Sequence, residues 1–106
     1  MTAAAAPRMV DVKVERDERL NAEMGPGSDF WYVHPIWADV DRPDTGGWAV
    51  KGERMARRLE RAVRAGVAFG PGPVEVKTDV NGKTYVNAPH RVMSKYMNAD
   101  LRRLGF

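Results

Sequence analysis

The side chains with the clearest chemical potential in this 106-residue chain are arginines that cluster in one short run. A guanidinium group is planar, always charged, and binds phosphate or carboxylate oxygens through two parallel hydrogen bonds. The run Gly47–Gly66 carries the cationic residues Lys51, Arg54, Arg57, Arg58, Arg61 and Arg64 against only Glu53 and Glu60. This run therefore predicts a surface for a polyanionic partner, either a nucleic acid or an acidic protein, and Arg54, Arg57, Arg58, Arg61 and Arg64 are its candidate binding residues.

The charge of the chain is distributed unevenly along its length. Residues 1–46 hold five Lys/Arg and nine Asp/Glu, a net charge of −4, whereas residues 47–106 hold twelve and five, a net charge of +7, which together give the overall +3. Such asymmetry bears on association rather than on fold. The alternative interpretation is a solvated helix face, since Glu53 precedes Arg57 by four positions and Glu60 precedes Arg64 by four, an order that forms weak intrahelical pairs.

Aromatic residues form a second candidate surface. Five of the nine aromatic residues fall within nineteen positions: Phe30, Trp31, Tyr32, Trp37 and Trp48. Consecutive residues of a strand point to opposite faces, so some of these rings must lie outside a one-sided core. We expect Trp31 and Trp37 to be exposed anchors of a protein interface, because Trp is enriched at such sites. Burial of the second face by other segments is the alternative.

Catalytic chemistry is weakly indicated. His34 with Asp39, Asp41 and Asp44 suggests a metal-dependent nuclease or hydrolase, but the acidic residues lack the glycine and the closing glutamate of a calcium loop. A solvated loop explains them better, and a single histidine at a strand end is usually a packed or surface residue. No nucleophile motif or phosphate-binding glycine pattern is present. We therefore predict a non-enzymatic protein with no metal and no cofactor.

The first half of the chain is predicted to place these residues on two strands and a helix. Alternation of valine with charged residues predicts a strand at 8–16, and residues 17–29 read as a loop that begins with a helical turn. Phe30–Val33 predicts a second strand, whose far end Pro35 makes an edge or a stop. After a loop at 38–46, apolar positions from Trp48 to Val63 recur at helical spacing and predict a helix over 47–66.

The second half predicts a hairpin and a final helix. Val74–Val80 alternates, and Asn81-Gly82 is typical of a two-residue type I′ turn, which places Thr78 opposite Tyr85 and puts Lys77 and Val86 on the other face. A last helix is predicted from Pro89, with Met93, Tyr96, Met97, Leu101 and Leu104 as its apolar stripe. The predicted fold is α+β, with the elements in the chain order β-β-α-β-β-α. It has an antiparallel or mixed sheet of about four strands with two helices on one face.

Three segments of the chain resemble small proteins encoded by phages of actinobacteria. They are Gly47-Trp-Ala-Val-Lys-Gly-Glu-Arg-Met55, Asp79-Val-Asn-Gly-Lys-Thr-Tyr-Val86 and the segment from His90 to Phe106, and the resemblance extends over residues 30–106. It implies a phage-encoded accessory protein in the host cytoplasm, and it implies no activity and no site residues.

Length and composition limit the organisation of the chain. The length predicts a single α+β domain at 8–106, preceded by a flexible tail at 1–7. The sequence contains no cysteine, which excludes disulfides and thiol chemistry and suits a reducing compartment. No stretch approaches the roughly 20 apolar residues of a membrane span, and no export signal is apparent, so a cytoplasmic location is expected.

Overall fold

A computed structural model describes residues 7–106, which form an α+β domain with two antiparallel sheets. Its strands are β1 (Met9–Arg16), β2 (Phe30–Trp37), β3 (Trp48–Lys51), β4 (Glu75–Thr78) and β5 (Thr84–Asn87). Its α-helices are α1 (Glu18–Met24), α2 (Glu53–Arg64) and α3 (Met97–Arg103), and short 3-10 turns lie at Val67–Phe69 and Ser94–Tyr96. The predicted α+β class is confirmed. The predicted tail lies outside the described residues except for Pro7.

The larger sheet has the order β1-β2-β3, with α2 packed on one face. Because side chains alternate along a strand, each strand sends every second residue toward the helix. Val12, Val33, Trp48 and Val50 are buried on this face, and α2 meets them with Ala56, Leu59, Ala62 and Val63, which have no exposed surface. These residues form the centre of the core.

The single four-stranded sheet predicted from the sequence is wrong, because residues 7–106 form five strands in two sheets. The additional strand is β3, which the sequence pattern assigned to the start of the helix. Trp48 and Val50 are buried while Ala49 and Lys51 are exposed, and β3 pairs with the first half of β2. Gly52, with φ of 85°, then turns the chain into α2, so the helix begins at residue 53 rather than 47.

Two further features of the first half differ from the sequence pattern. The segment 17–29 contains a complete helix, α1, whose first turn is capped by Asp17 accepting the Leu20 N–H at 3.0 Å. Asn21 then bonds both main-chain groups of Phe30, at 2.7 and 3.0 Å, which attaches α1 to β2. Strand β2 also continues through Pro35 to Trp37. Proline is tolerated there because β3 begins opposite Val33, so within residues 7–106 no strand other than β1 pairs with this part of β2.

The hairpin β4–β5 forms, but its register is shifted by one residue from the prediction. Thr78 lies opposite Thr84 and Val76 opposite Val86. The loop is longer than a two-residue turn because Asp79 donates its N–H to the Lys83 carbonyl at 2.9 Å, and Gly82 adopts φ of 78°. The shift exchanges the predicted faces, so Val86 is buried in the core.

The last helix is much shorter than predicted. Residues 88–93 are irregular, because Trp48 donates its indole N–H to the Val92 carbonyl at 2.8 Å and Val92 donates its N–H to Ala68 at 3.0 Å. These contacts hold the segment against the core and delay the helix to α3. Only part of the predicted apolar stripe is buried: Met97 and Leu101 are buried, whereas Met93, Tyr96 and Leu104 are exposed.

Candidate functional site

A groove of about 900 Å³ lies beside α2, between this helix and the segment 98–106. We call it the basic groove. It is lined by Lys51, Gly52, Arg54, Met55, Arg57, Arg58, Glu60, Arg61, Asn98, Arg102 and Phe106. The lining contains six cationic side chains and one carboxylate, so the groove has a strong excess of positive charge.

The amphipathic character of α2 explains why arginines line the groove. Every third or fourth residue of the helix is small or apolar and faces the sheet, which leaves the remaining positions to solvent. Arg54, Arg57 and Arg61 are exposed on this outer side. Successive members stand three or four residues apart, or about one helical turn of 5.4 Å, so their guanidinium groups can contact different groups of an extended ligand.

Arg58 holds the two walls of the groove together. Its Nη1 donates to the Asn98 Oδ1 at 2.8 Å, and its Nε donates to the main-chain oxygen of Phe106 at 3.0 Å. Its Nη2 also donates to that oxygen. Because the guanidinium is occupied by these bonds, Arg58 positions the 98–106 segment against α2 rather than standing free for a ligand.

Arg64 was one of the candidate binding residues, but it does not line the groove. Its Nη2 donates to the Val12 carbonyl at 3.2 Å and pairs with Glu60 at 3.1 Å. A longer contact of 3.5 Å reaches Asp11. Arg64 therefore attaches α2 to β1.

The remaining cations of the groove are the ones available to a partner. Arg57 pairs with Glu60 at 3.3 Å, a partly exposed contact of the kind that contributes little. Within residues 7–106, Arg54, Arg61, Lys51 and Arg102 form no ion pair. Arg54 and Arg61 are thus the two candidate residues that are exposed and form no ion pair within residues 7–106.

The last helix contributes one cationic side chain to this surface. Arg102 lines the groove, whereas Arg103 pairs with Asp100 at 3.3 Å. Arg91 lies elsewhere, with its guanidinium 4.1 Å from the centre of the Trp48 ring, and burial lowers its pKa. The groove-lining residues Asn98 and Phe106 were not predicted, since no sequence signal shows that their segment returns to α2.

The two tryptophans proposed as exposed anchors do not form a surface. Trp37 is buried, and its ring centre lies 5.4 Å from that of Phe69 in the core, so the prediction that it is exposed is wrong. Trp31 is half-buried and donates its indole N–H to Asp29 at 2.9 Å. An aromatic protein interface would therefore depend on Trp31 without Trp37.

His34, Asp39 and Asp41 have separate partners. His34 is buried, with its Nε2 3.4 Å from a Glu15 carboxylate oxygen. Asp39 pairs with Arg8 at 3.6 Å, and Asp41 accepts hydrogen bonds from Thr84 at 2.9 and 3.0 Å. In the described part of the chain, no group of three or more histidine, cysteine, aspartate or glutamate side chains is placed to hold a metal ion. The metal-dependent hydrolase hypothesis therefore gains no support from the positions of these residues.

Comparisons with known proteins find no family model, no curated protein and no solved structure that matches this chain. Across residues 7–106, no helix has both the length and the apolar character needed to cross a lipid bilayer. The functional argument therefore rests on the residues and the geometry of the basic groove.

Proposed function

We propose that this chain is a non-enzymatic binding protein that holds a nucleic acid in the basic groove. The observation that carries the proposal is the composition of the groove lining, which contains six cationic side chains and one carboxylate. The side chains that would contact phosphates are the lining cations that form no ion pair with any residue from 7 to 106: Lys51, Arg54, Arg61 and Arg102.

A phosphate backbone suits this arrangement of cations for two reasons. Guanidinium groups bind phosphate oxygens through paired hydrogen bonds, and Arg54 and Arg61, which lie two helical turns apart, can reach different phosphates of one strand. Arg54 and Arg61 would also bind without first breaking an ion pair within residues 7–106, so the favourable interaction is not offset by the loss of another. Such contacts fix a nucleic acid by its backbone and predict binding that is strongly salt-dependent and largely independent of sequence.

The test is the salt dependence of binding. Affinity for a mixed-sequence DNA duplex and for a single-stranded RNA would be measured by fluorescence anisotropy between about 50 and 200 mM salt. The logarithm of the affinity should fall linearly with the logarithm of the salt concentration. Replacing Arg54 and Arg61 together by alanine should weaken binding and reduce the magnitude of the duplex slope by about 1.8, since each lost phosphate contact removes about 0.9.

A matched control separates the groove from overall charge. Arg8 and Arg19 have side-chain exposures of 68% and 91% and do not line the groove. Replacing both by alanine removes the same charge and should leave the slope unchanged. Equal losses from the two double variants would contradict a groove-specific site. Absence of binding at the lowest salt concentration would exclude nucleic acid and direct the search to an acidic protein.

The role of a phage-encoded accessory protein in the host cytoplasm remains a prediction. Nucleic-acid binding would be compatible with that role. The runner-up function is a protein-interaction module, either a host-directed inhibitor or a homo-oligomeric structural protein, with Trp31 as the remaining candidate anchor. Replacing Trp31 by alanine should not affect nucleic-acid binding if the basic groove is the functional site.

A further inference from the structure

Within residues 7–106, the outer edge of β4 is an unpaired strand edge. All four residues from Glu75 to Thr78 are exposed, and in this part of the chain no strand other than β5 pairs with β4. The opposite edge of the hairpin is covered, because Arg42 of the 38–46 loop donates its N–H to the Thr84 carbonyl at 2.9 Å. The hairpin therefore offers one free edge among the described residues, and it is on β4.

The hydrogen-bond alternation of the hairpin shows which main-chain groups lie on that edge. Thr84 directs both its N–H and its carbonyl away from β4, toward Asp41 and Arg42. In an antiparallel pair the residue opposite must then direct its own groups away as well, and the pattern repeats at every second residue. Thr78 and Val76 consequently present their N–H and carbonyl groups outward, and within residues 7–106 no hydrogen bond reaches them from that side.

We infer that β4 pairs with β4 of a second copy of this chain, in an antiparallel arrangement centred on Val76. A two-fold axis through this point places Val76 opposite its own symmetry mate, so that the two residues exchange both main-chain hydrogen bonds. Thr78 then lies opposite Val74 of the partner copy. The two hairpins together form a continuous four-stranded sheet, which is more stable than an isolated two-stranded hairpin.

Charge complementarity selects this register over its neighbours. Centred on Val76, the pairing sets Glu75 directly opposite Lys77 of the other copy, and symmetry repeats the pair. Centring on Lys77 would oppose two lysines, and centring on Glu75 would oppose two glutamates, both of which are destabilising. A register centred between two residues would set outward-facing main-chain groups against inward-facing ones.

Two other features of β4 are compatible with the pairing. Pro73 precedes the strand and lacks an N–H, but it lies two residues before Glu75, whose main-chain groups point toward β5. The outward donors are therefore retained. Val76, which is 42% exposed, would cover part of its apolar surface against its symmetry mate. Charged residues on an edge strand commonly discourage pairing, but here their opposite signs match across the axis.

The experiment measures the mass of the full chain in solution by sedimentation equilibrium between about 10 µM and 1 mM, a range that suits the weak association of interfaces smaller than about 1,200 Å². We expect a concentration-dependent dimer. Glu75→Lys alone and Lys77→Glu alone should each weaken it about tenfold, because both symmetry-related pairs become repulsive. The double variant carrying both changes should restore the dimer, and mixing the two single variants should produce a heterodimer.

The control is Lys83→Glu, which makes the same charge change on an exposed turn residue outside β4 and should leave dimerisation unchanged. Circular dichroism of each variant would confirm that the fold is retained. A chain that remains monomeric at the highest concentration would overturn the inference. So would a dimer that the single charge reversals do not weaken, or one that the double variant fails to restore.

Discussion

The larger sheet with α2 and the hairpin β4–β5 are held in place by different kinds of contact. The buried face of α2 carries Leu59 and Val63, which have no exposed surface, and apolar packing positions the helix. The hairpin contributes Val86 to the core but leaves β4 exposed, and hydrogen bonds and charges attach its turn and β5 to the 38–46 loop. Apolar area therefore determines where the helix lies, whereas polar groups determine the register of the hairpin.

Truncating the core beneath α2 should produce the largest effect. Leu59→Ala removes a fully buried side chain at the contact between α2 and the sheet, and we expect the free energy of unfolding to fall by about 2–5 kcal/mol through lost burial and a residual cavity. Urea denaturation followed by circular dichroism would measure it. The matched control is Leu104→Ala, at a leucine that is 45% exposed, which should cost less than about 1 kcal/mol. Equal costs would mean that the two leucines do not differ in burial.

Removing the polar anchor of the hairpin should have a smaller and more local effect. One Asp79 carboxylate oxygen accepts the N–H groups of Asn81 and Lys83 at 2.8 and 3.0 Å, and the other pairs with Arg42 at 2.7 Å. Asp79→Ala should cost about 1–3 kcal/mol, because turn donors and Arg42 lose their partner together. Amide hydrogen exchange should accelerate in β4 and β5 more than in β2, since segments with few buried contacts open separately.

The variant Asp79→Asn separates the two roles of this carboxylate. Asparagine retains a side-chain oxygen that can accept the turn N–H groups, but it removes the charge that pairs with Arg42. We expect its hairpin exchange rates to fall between those of the wild type and Asp79→Ala. Exchange as fast as in the alanine variant would assign the whole effect to the ion pair.

The contrast between the packing of α2 and the polar contacts of the hairpin also explains how much of the fold the sequence predicts. The apolar stripe of α2 is long enough to show its period, and its buried face was predicted. Trp48–Lys51 is too short, because Trp48 fits a helical stripe with Met55 as well as a strand with Val50, and pairing with β2 decides between them. The hairpin turn was equally undetermined, since a two-residue and a three-residue loop both suit Gly82.

The candidate site was predictable only at the level of composition. The sequence identifies an arginine-rich helix, but adjacent arginines have unrelated roles: Arg57 is exposed in the groove lining, while Arg58 binds the 98–106 segment. Which of them remains available depends on where β1 and residues 98–106 pack. These are long-range contacts that the helical period does not encode, and the same holds for the burial of Trp37.

Separate alanine variants of two arginines on α2 test the distinction between structural and available arginines. Arg64→Ala should lower the free energy of unfolding by about 1 kcal/mol, because it removes the bonds to Val12 and Glu60, whereas Arg61→Ala should change it by less than about 0.5 kcal/mol. Nucleic-acid binding should show the reverse order, with Arg61→Ala the more damaging. Urea denaturation and anisotropy on the same preparations would measure both. If the two variants behaved alike in both assays, the division between structural and available arginines would be wrong.

The smallest expected effect is a pH dependence confined to the contact between the hairpin and the 38–46 loop. The main-chain N–H and then the hydroxyl of Thr84 donate to Asp41, and these bonds hold the pKa of Asp41 below its ordinary value of 3.8. The unfolded chain therefore binds this proton more readily than the folded chain. The contribution of Asp41 to stability is fully present above the ordinary pKa, and it is lost as the pH falls through the lowered pKa.

The Thr84 amide resonance should report this titration in an acid series followed by NMR. Thr84→Val keeps the main-chain N–H but removes the hydroxyl, so the pKa of Asp41 should rise part of the way toward its ordinary value. Asp41→Asn should abolish the transition, while the core beneath α2, whose buried residues are apolar, should show no response linked to it. A midpoint for Asp41 at or above its ordinary pKa would mean that the loop does not hold β5 through this carboxylate. The register of the hairpin would then depend on Asp79 and on the burial of Val86.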